Sequence, residues 1–535
     1  MPVDLSSEPM FAPATQAGPS RYRALFIGPK GGKPAAKFQS ELEDEWEETL
    51  SLHCDLHAIH HDFDYGEVCD QVNPDFVVFR NPGGYRPDPL NITNVDARPD
   101  IPKIGFYVED PHDTSRVSFL RLLDQMKIES FFVPGTAPIR QSPELAARAF
   151  TMSLFIDDAV FRQYGLEKLI PVSVFGGIAV PTFYNWRAET FREIFHHFPT
   201  LIYTHPGYTH PVPPHHFPVS GADYAKMLNR SRFSLADSTR EAYVVRKHLE
   251  IPAAGAILVA PDFPELACYG FRDMQNCVLG SGARLFDKIA TVASDPELYN
   301  QICVSGQHLV HARHTRKGWR GILDWYECQR ALRPGETVQQ QGVFGPFKAV
   351  PGGVNVPAMA AEPLGDSDFS AAMKKAVNLI LRNQNLDEAE ATLQAVASWL
   401  GHLHEPYVQL GLVALLRGQP GRAKEMFLKP YAIRAQREGV TSFDPEELAW
   451  LWLTGSILSD DGLVNLAIMK ADGVRHLSLR RMAAVRAAQQ GSVPEITSAL
   501  LNRSDDDRLS IHWTGQLEWG AWLALVSRIS AANKK

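Results

Sequence analysis

The chain has 535 residues, of which 45% are hydrophobic and 21% charged, values typical of an ordinary globular protein and not of a disordered or fibrous one. Because one hydrophobic core rarely grows beyond ~250–300 residues, this length predicts roughly two to four domains. The formal net charge of −8 is small for the length, and no block of lysine or arginine stands out, so nucleic acid is not predicted as a partner.

The cysteines and the first residues of the chain bear on the cellular compartment. The six cysteines form no C-x-x-C pair, so neither a disulfide framework nor a zinc knuckle is predicted, and a reducing cytoplasm fits best. Residues 1–20 carry acids where a signal peptide needs cations, and we expect a disordered tail there. No apolar stretch approaches the ~18–20 residues that span a bilayer. The sequence predicts a cytoplasmic protein and leaves contact with a membrane surface open.

Short apolar segments alternate with helical patterns between residues 21 and 160. The predicted strands are ALFIG (24–28), DLHAIHH (55–61), DFVVFR (75–80), KIGFYV (103–108) and SFFVP (130–134). Continuous apolar strands that alternate with helices indicate a parallel sheet covered on both faces. Residues 21–160 are therefore predicted to form a Rossmann-like lobe.

A second series of the same kind covers residues 161–341. Its predicted strands are PVSVFGG (171–177), TLIYTH (200–205), FSLADS (233–238), AILVAP (256–261) and NCVLG (276–280). Two successive parallel sheets predict two lobes with a cleft between them. Because ligands of such sheets bind beyond the carboxyl ends of the strands, we expect the loops after these strands to face the cleft.

A passage rich in proline and glycine, residues 342–368, is predicted to link the two lobes to a helical block, residues 369–535. Within this block LRNQ (381–384) recurs as LRGQ (416–419), and Ala389 aligns with Ala423, 34 residues later. That interval is the period of tetratricopeptide helix pairs, so a tetratricopeptide-like domain is predicted. A helical bundle with accidental similarity stays open as the alternative.

The stretch YVVRKHLEIPAAGAILVAPD (243–262) places two cations and a carboxylate on one helical turn, which we expect to end at the Ile-Pro pair beside the predicted cleft. Arg246 and Lys247, with the nearby Arg240, can donate hydrogen bonds to a diphosphate, and the helix N-terminus adds backbone N–H groups. Glu250 is spaced to accept hydrogen bonds from the two hydroxyls of a ribose. The alternative is an i,i+4 ion pair between Arg246 and Glu250, worth ~0.3–0.5 kcal/mol on a surface.

This stretch resembles a motif of glycosyltransferases of the GT-B fold, in particular the branch that includes spore-coat-protein-like bacterial enzymes. The motif K-x-x-E-x-P-A-x-G is matched by Lys247, Glu250, Pro252, Ala253 and Gly255. FGG (175–177), FYNWR (183–187) and HPGY (205–208) also stand in the expected order. The resemblance covers most of the second lobe, covers the first lobe loosely and does not extend to the helical block.

The resemblance implies a role for each matched position. Glu250 would hold the nucleotide ribose, Lys247 with Arg187 would hold the phosphates, and Gly176 with Gly177 would let the backbone approach the ligand. His205, after the strand TLIYT, is expected near the donor. The full set of predicted donor-binding residues is Gly176, Gly177, Arg187, His205, Arg240, Arg246, Lys247 and Glu250.

One departure from the family pattern concerns the first acid of the Glu-x7-Glu motif that many GT-B enzymes carry. Ala242 occupies the position eight residues before Glu250, and Glu241 is one step further away, so Glu241 is not assigned to catalysis. The missing acid favours a non-catalytic protein as an alternative.

The base that an inverting reaction needs is expected from the first lobe, in YVEDPHD (107–113), which follows a predicted strand. Related proteins often have an acid-Pro segment here, so Asp110 is the first candidate for catalysis and His112 the second. A capping turn in which Asp113 or Thr114 starts a helix stays open.

Two further patterns suggest ligands only weakly. GPKGGKP (28–34) lacks the G-K-[ST] of a P-loop and the spacing of a dinucleotide fingerprint, so binding of ATP or NAD is weakly supported. Two interpretations of this segment stay open: a loop that faces the acceptor or the diphosphate, and a plain turn. The histidines of residues 57–61 and 205–216 lack helical i,i+4 spacing and cysteine support, so no metal site is predicted.

These features predict a bacterial, metal-independent glycosyltransferase that moves a sugar from a nucleotide-sugar substrate to a glycan or protein acceptor, without a further cofactor. The helical block is expected to recognise the acceptor or a partner, because concave helical arrays provide extended surfaces. Two alternatives stay open: a nucleotide-sugar epimerase, and a non-catalytic GT-B-like scaffold that acts through its helical domain.

Overall fold

The protein is described by a computed structural model, which contains two parallel α/β sheets, two small two-stranded sheets and a C-terminal run of helices. The described residues are 21–28, 45–80, 90–109, 111, 119, 122–123, 125–141, 146, 148–176, 184–203, 219–353, 356–360, 364–399, 401, 403–438, 443–471, 476–489 and 517–534.

The first lobe is built on a six-stranded parallel sheet with the strand order β2-β1-β4-β6-β7-β8. The strands are β1 (Arg23–Ile27), β2 (Asp55–Ile59), β4 (Phe76–Arg80), β6 (Lys103–Phe106), β7 (Phe131–Pro134) and β8 (Ala149–Met152). Leu25 and Val77 join one buried cluster, whereas Phe26 and Val78 join the cluster on the opposite face. Because both faces are covered, the strands are continuous apolar runs, and five of the six were predicted. The edge strand β8 was missed because its alanine-rich surroundings favour a helix.

Shorter elements complete this lobe. The strands β3 (Phe63–Asp64) and β5 (Ile92–Thr93) pair in parallel with each other. The described helical segments are residues 45–51, Tyr65–Val72 and Ala137–Gln141.

The second lobe is built on a five-stranded parallel sheet with the strand order β10-β9-β11-β12-β13. All five strands were predicted: β9 (Ile170–Phe175), β10 (Thr200–Tyr203), β11 (Ser231–Leu235), β12 (Ile257–Ala260) and β13 (Val278–Leu279). Its helices are Asn185–His197, Gly221–Arg230, Lys247–Ala253, Pro264–Cys268, Gly282–Ser294 and Pro296–Arg313. The prediction of two Rossmann-like lobes followed by an all-helical region is confirmed.

After the helix Pro296–Arg313 the chain returns to the first lobe. Trp319 packs against Trp46 with ring centroids 5.6 Å apart, and Tyr326, on the helix Gly321–Arg330, packs against Phe76 at 4.8 Å. The hairpin of β14 (Glu336–Gln340) and β15 (Phe347–Pro351) follows, and the buried Gln340 side chain accepts a hydrogen bond from the backbone N–H of Thr151 at 2.8 Å. Trp319, the helix Gly321–Arg330 and Val338 of β14 thus pack in the core of the first lobe, although the sequence grouped residues up to 341 with the second.

The C-terminal region begins with three consecutive helix hairpins. Its helices are Asp368–Leu381, Leu386–Trp399, His404–Leu416, Pro420–Glu438, Pro445–Leu458, Asp461–Ala471, Leu477–Gln489 and Trp519–Ala532. LRNQ and LRGQ form the turns of the first two hairpins, where Asn383 and Gly418 take the same left-handed conformation, with φ values of 50° and 67°. The aligned Ala389 and Ala423 are both fully buried in the second helix of their hairpin. The repeat thus corresponds to a structural unit, while its assignment as tetratricopeptide-like stays a prediction.

In the part of the chain that the structure describes, no helix combines the length and the apolar character needed to cross a membrane. All six cysteines are free thiols.

Candidate functional site

The order of the strands in the second sheet locates a crevice. The chain passes from β9 to β10 on one side and then returns to form β11 on the other side of β9. Such a switch point opens a crevice beyond the carboxyl ends of the two strands, and ligands of parallel sheets bind there. Gly176 directly follows β9, and Asp237 lies two residues beyond β11.

Three of the predicted donor-binding residues meet at this edge. A Cβ atom added to Gly176 would lie 3.1 Å from Nη1 of Arg187 and 3.2 Å from Nζ of Lys247. Lys247 donates a hydrogen bond from Nζ to the backbone oxygen of Phe175, the last residue of β9, at 2.6 Å. Glycine at position 176 therefore leaves room for two cations from different helices to come together beside the backbone.

Arg187 is held at the start of the helix Asn185–His197. The neighbouring Trp186 donates a hydrogen bond from Nε1 to the backbone oxygen of Gly280 at 2.8 Å, which fixes the helix end to the loop after β13. The guanidinium of Arg187 also lies 4.3 Å from the ring centroid of Tyr184. The helix N-terminus adds the positive end of its dipole to the charge of Arg187.

Asp237 belongs to this site and was not predicted. Its Oδ2 accepts a hydrogen bond from the backbone N–H of Arg187 at 3.2 Å and lies 3.4 Å from Nε of the same residue. Its side chain is 2% exposed, and burial raises its pKa to about 7 against the opposing effect of Arg187. The one sequence signal for Asp237 was its place in FSLADS, directly after a predicted strand.

Lys247 is the first residue of the helix Lys247–Ala253. Burial and the charge of Arg187 lower the pKa of Lys247 to about 8, while Glu250 and Asp237 act in the opposite direction. The ammonium group is therefore held in a poorly solvated position. An anionic ligand there would provide the favourable interactions that water cannot.

The helix that carries Lys247 is longer than the sequence suggested, because Pro252 does not end it. The helix continues to Ala253, and Ala254 closes it by donating a backbone hydrogen bond to the oxygen of Glu250 at 3.0 Å. Proline removes one N–H donor from this last turn, but the backbone reverses only at Gly255, where φ is +81°.

Glu250 is 8% exposed and lies one turn after Lys247. Burial raises its pKa, whereas the charges of Arg246 and Lys247 lower it. The ion pair that the sequence left open is present, with 3.6 Å between Nε of Arg246 and Oε1 of Glu250. The charge of Glu250 also contributes to raising the pKa of the buried Tyr224, after burial itself.

Arg246 connects the two lobes. Its two terminal nitrogens contact both carboxylate oxygens of Glu45 in the first lobe, with 2.6 Å between Nη2 and Oε1. Arg246 therefore lies between Glu45 and Glu250, and the described contacts do not bring it to Gly176. The role predicted for Arg246, binding a diphosphate, would require its guanidinium to leave this position between the two carboxylates.

Arg240 contacts the helical region. Its Nη1 lies 3.3 Å from Oδ2 of Asp368, and its guanidinium lies 4.8 Å from the ring centroid of Trp399. The next residue, Glu241, accepts a hydrogen bond from Oγ of Ser367 at 3.0 Å. The acid closest to the missing Glu-x7-Glu position thus points to the helical region, and Arg240 is not grouped with Arg187 and Lys247.

Four predicted site residues, Asp110, His112, Gly177 and His205, lie outside the described residues, as do positions 29–34 of GPKGGKP. Their roles stay predictions. Within the described ranges, no group of three or more His, Cys, Asp or Glu side chains is arranged to hold a metal ion. The metal independence inferred from the sequence is likewise still a prediction.

With this geometry in view, the segment that forms the second lobe can be compared with known families. Residues 168–319 match the family model described as "Glycosyl transferase-like". The match covers β9 to β13 and includes Gly176, Arg187, Asp237, Lys247 and Glu250. A comparison with curated protein sequences gave no match.

Among solved structures, the chain is similar to sucrose-phosphate synthase from Thermosynechococcus elongatus, with 9% identity, a TM-score of 0.38 and coverage of 58% of this chain and 100% of that one. It is also similar to T4 phage BGT in complex with UDP-glucose, with 9% identity, a TM-score of 0.37 and coverage of 54% and 94%. Anabaena HepE in complex with UDP and glucose gives 10% identity, a TM-score of 0.34 and coverage of 58% and 100%. The ligands in these titles belong to those proteins, and likeness at this level carries no argument about the ligand of this chain.

Proposed function

We propose that the protein is a glycosyltransferase that binds a nucleotide sugar at the carboxyl edge of the second sheet and transfers its sugar to a glycan or protein acceptor. The observation that carries this proposal is the meeting of Gly176, Arg187 and Lys247 at the switch point of a glycosyl transferase-like segment. Two partly buried cations beside a glycine and a helix N-terminus suit the diphosphate of the donor.

The proposed role of these residues in the reaction is electrostatic stabilisation of the leaving group. Transfer of the sugar breaks its bond to the diphosphate, which departs with additional negative charge. Arg187 and Lys247 are held in place by Asp237 and by the Phe175 oxygen before any ligand arrives, so they can stabilise this charge without reorganisation. No metal ion is needed for this role in the proposal.

Glu250 is proposed to accept hydrogen bonds from the ribose hydroxyls. It lies one helical turn from Lys247, and this spacing suits a ribose next to the diphosphate. Oε1 of Glu250 lies 3.6 Å from Nε of Arg246, and Arg246 keeps Glu45 as a second partner when Glu250 accepts from a ribose. The acceptor base is proposed to come from the first lobe, with Asp110 ahead of His112.

The helical region is proposed to be tetratricopeptide-like and to recognise the acceptor or a partner. Its three consecutive hairpins, with matching left-handed turn residues at Asn383 and Gly418, support a repeat architecture. Arrays of this kind present extended surfaces for protein or glycan ligands.

A thermal-shift screen with UDP-, GDP- and dTDP-linked sugars tests the donor site, and CMP-linked sugars, which carry one phosphate in place of a diphosphate, complete the screen. A ligand at ~100 times its Kd stabilises the native state by ~2.7 kcal/mol, so at least one nucleotide sugar is expected to raise the melting temperature. Lys247→Ala should abolish this shift, because it removes one of the two phosphate-binding cations. Lys226→Ala is the matched control, since that lysine pairs with the exposed Asp223 and should leave the shift unchanged.

The outcome that contradicts the proposal is a native protein that none of the nucleotide sugars stabilises, or a shift that survives in Lys247→Ala. Product analysis with the donor that binds separates the alternatives. A glycosyltransferase releases nucleotide only as its sugar is transferred or hydrolysed, an epimerase changes the sugar and keeps it attached, and a scaffold does neither. Glu250→Ala is expected to suppress the release of nucleotide.

A further inference from the structure

Among the described residues, no donor reaches one buried oxygen of Asp237 in the candidate donor site. Oδ2 of Asp237 accepts a hydrogen bond from Arg187, but Oδ1 of the same carboxylate is buried and accepts no hydrogen bond from any part of the chain that the structure describes. A buried polar atom without a partner costs free energy, typically ~1–3 kcal/mol, and needs an explanation. Asp237 lies at the switch point, beside the cations proposed to receive the diphosphate. Binding of that ligand would therefore change the electrostatic surroundings of Oδ1.

Of the described residues, two charged groups on different helices act on Asp237: Arg187 on Asn185–His197 and Lys247 on Lys247–Ala253. The backbone N–H of Ser238 acts in the same direction as these cations and lowers the pKa of Asp237. His248 and Glu250 lie on the same helix as Lys247. Burial lowers the pKa of His248 to about 4, so this imidazole is neutral near pH 7. In the free protein Asp237 is one counter-ion of Arg187, and a diphosphate would bring two further negative charges to the same place.

We propose that Asp237 is a proton-linked positioning residue: its carboxylate holds Arg187 in the free protein and is protonated from solvent when the diphosphate of the donor binds. The proton bonds to the free Oδ1, and no other covalent bond changes. The neutral carboxylic acid then has an O–H that can donate a hydrogen bond, and the charge of Arg187 is directed to the phosphate. This inference rests on the proposed function.

The sign of the pH dependence follows from the direction of the shift. The pKa of Asp237 is about 7 in the free protein, and added negative charge raises it further in the complex. The complex therefore binds more protons than the free protein, so the affinity for the donor falls as pH rises through 7. One such group weakens binding by about tenfold between pH 6 and pH 8. Loss of the Lys247 charge, with a pKa of about 8, adds about twofold over the same interval.

Calorimetric titration with UDP-, GDP- and dTDP-glucose, each in two buffers of different ionisation enthalpy, measures the proton uptake directly. The diphosphate of a nucleotide sugar carries no group that titrates between pH 6 and 8, so the uptake belongs to the protein. The native protein is expected to take up about half a proton at pH 7 and to lose about twentyfold in affinity from pH 6 to pH 8.

Asp237→Asn keeps the shape of the side chain and removes its titration. This variant is expected to show an uptake close to zero and a loss of affinity of about twofold over the same interval. Asp223→Asn, an exposed acid on the helix Gly221–Arg230, is the matched control and should behave as the native protein.

The outcomes distinguish the inference from the function on which it rests. Binding without proton uptake in the native protein, or the same uptake in Asp237→Asn, overturns the role of Asp237 and leaves the donor site in place. A native protein that binds none of these sugars at any pH, and that no nucleotide sugar of the thermal-shift screen stabilises, removes the proposed function and this inference together. The measurement on the native protein needs no variant, so an unfolded Asp237→Asn does not prevent a decision.

Discussion

At the scale of single residues, the site depends on one glycine. Gly176 directly follows β9, and its missing side chain is what allows Nη1 of Arg187 and Nζ of Lys247 to approach the same point of the backbone. A methyl group there would meet both cations at distances that nine in ten real Cβ contacts exceed. The sequence singled out Gly176 from the pattern FGG, and the structure supplies the reason for it.

Gly176→Ala is therefore expected to weaken binding of the nucleotide sugar by about tenfold, equivalent to ~1.4 kcal/mol, because the two cations must move apart. Isothermal calorimetry on the folded variant measures this. Gly318→Ala serves as the control, since a Cβ there would meet only Thr315, at 3.5 Å. Unchanged affinity in Gly176→Ala would show that the ligand does not use this part of the crevice.

At the scale of elements, the turn before the helix Lys247–Ala253 is held by a buried carboxylate from another helix. Glu265, on Pro264–Cys268, accepts hydrogen bonds from the backbone N–H and the hydroxyl of Thr136 at 2.8 and 2.9 Å. It also accepts one from the backbone N–H of Val244 at 3.0 Å. Thr136 belongs to the first lobe and Val244 to the second, so a single carboxylate joins the two lobes close to the site.

Glu265→Ala should lower the free energy of unfolding by ~2–4 kcal/mol, because it leaves two buried backbone N–H groups without an acceptor. Urea unfolding followed by fluorescence and circular dichroism measures the change. Glu193→Ala, at an exposed position of the helix Asn185–His197, is expected to change stability by less than about 0.5 kcal/mol. Equal stabilities of the two variants would contradict the role of Glu265 as a connection between lobes.

At the scale of the whole molecule, the helical region is attached next to the donor site. Ser367 caps the helix Asp368–Leu381 by accepting from the backbone N–H of Ser370 at 3.1 Å, and it donates to Glu241 at 3.0 Å. Arg140 of the first lobe donates to the backbone oxygen of Glu241 at 2.7 Å. The two lobes and the helical region therefore meet at one turn, which lies between Asp237 and Lys247.

A double-mutant cycle tests this junction. Ser367→Ala and Glu241→Ala should each destabilise the protein, and their combination should show a coupling of ~1 kcal/mol, because the two side chains share a buried hydrogen bond. Ser398→Ala paired with Glu241→Ala is the control, since Ser398 is exposed and its hydroxyl bonds to Ala395 in its own helix. Additive effects in the Ser367 cycle would contradict a direct connection.

Much of the fold could be predicted from the sequence because the elements depend on local patterns. Strands buried on both faces are continuous apolar runs, and ten of the eleven strands of the two large sheets were recognised in this way. The helix hairpins were recognised from LRNQ and LRGQ, which mark turns with a left-handed residue. Lys247 and Glu250 were singled out as candidates from their places on one helical turn, and Gly176 and Arg187 from the resemblance to GT-B glycosyltransferases.

What only the tertiary structure decided concerns partners that are distant along the chain. Asp237 meets Arg187 because β11 returns to the side of β9, and no local pattern encodes that neighbourhood. Arg246 contacts Glu45, about 200 residues away in the sequence. Trp319, which follows the second lobe in the sequence, packs in the core of the first lobe. Short-range sequence patterns determine which backbone conformation a segment adopts, since hydrophobic burial and turn chemistry act over a few residues. Which charges share a crevice depends on how the sheets are ordered and packed, and this is settled only when the whole chain folds.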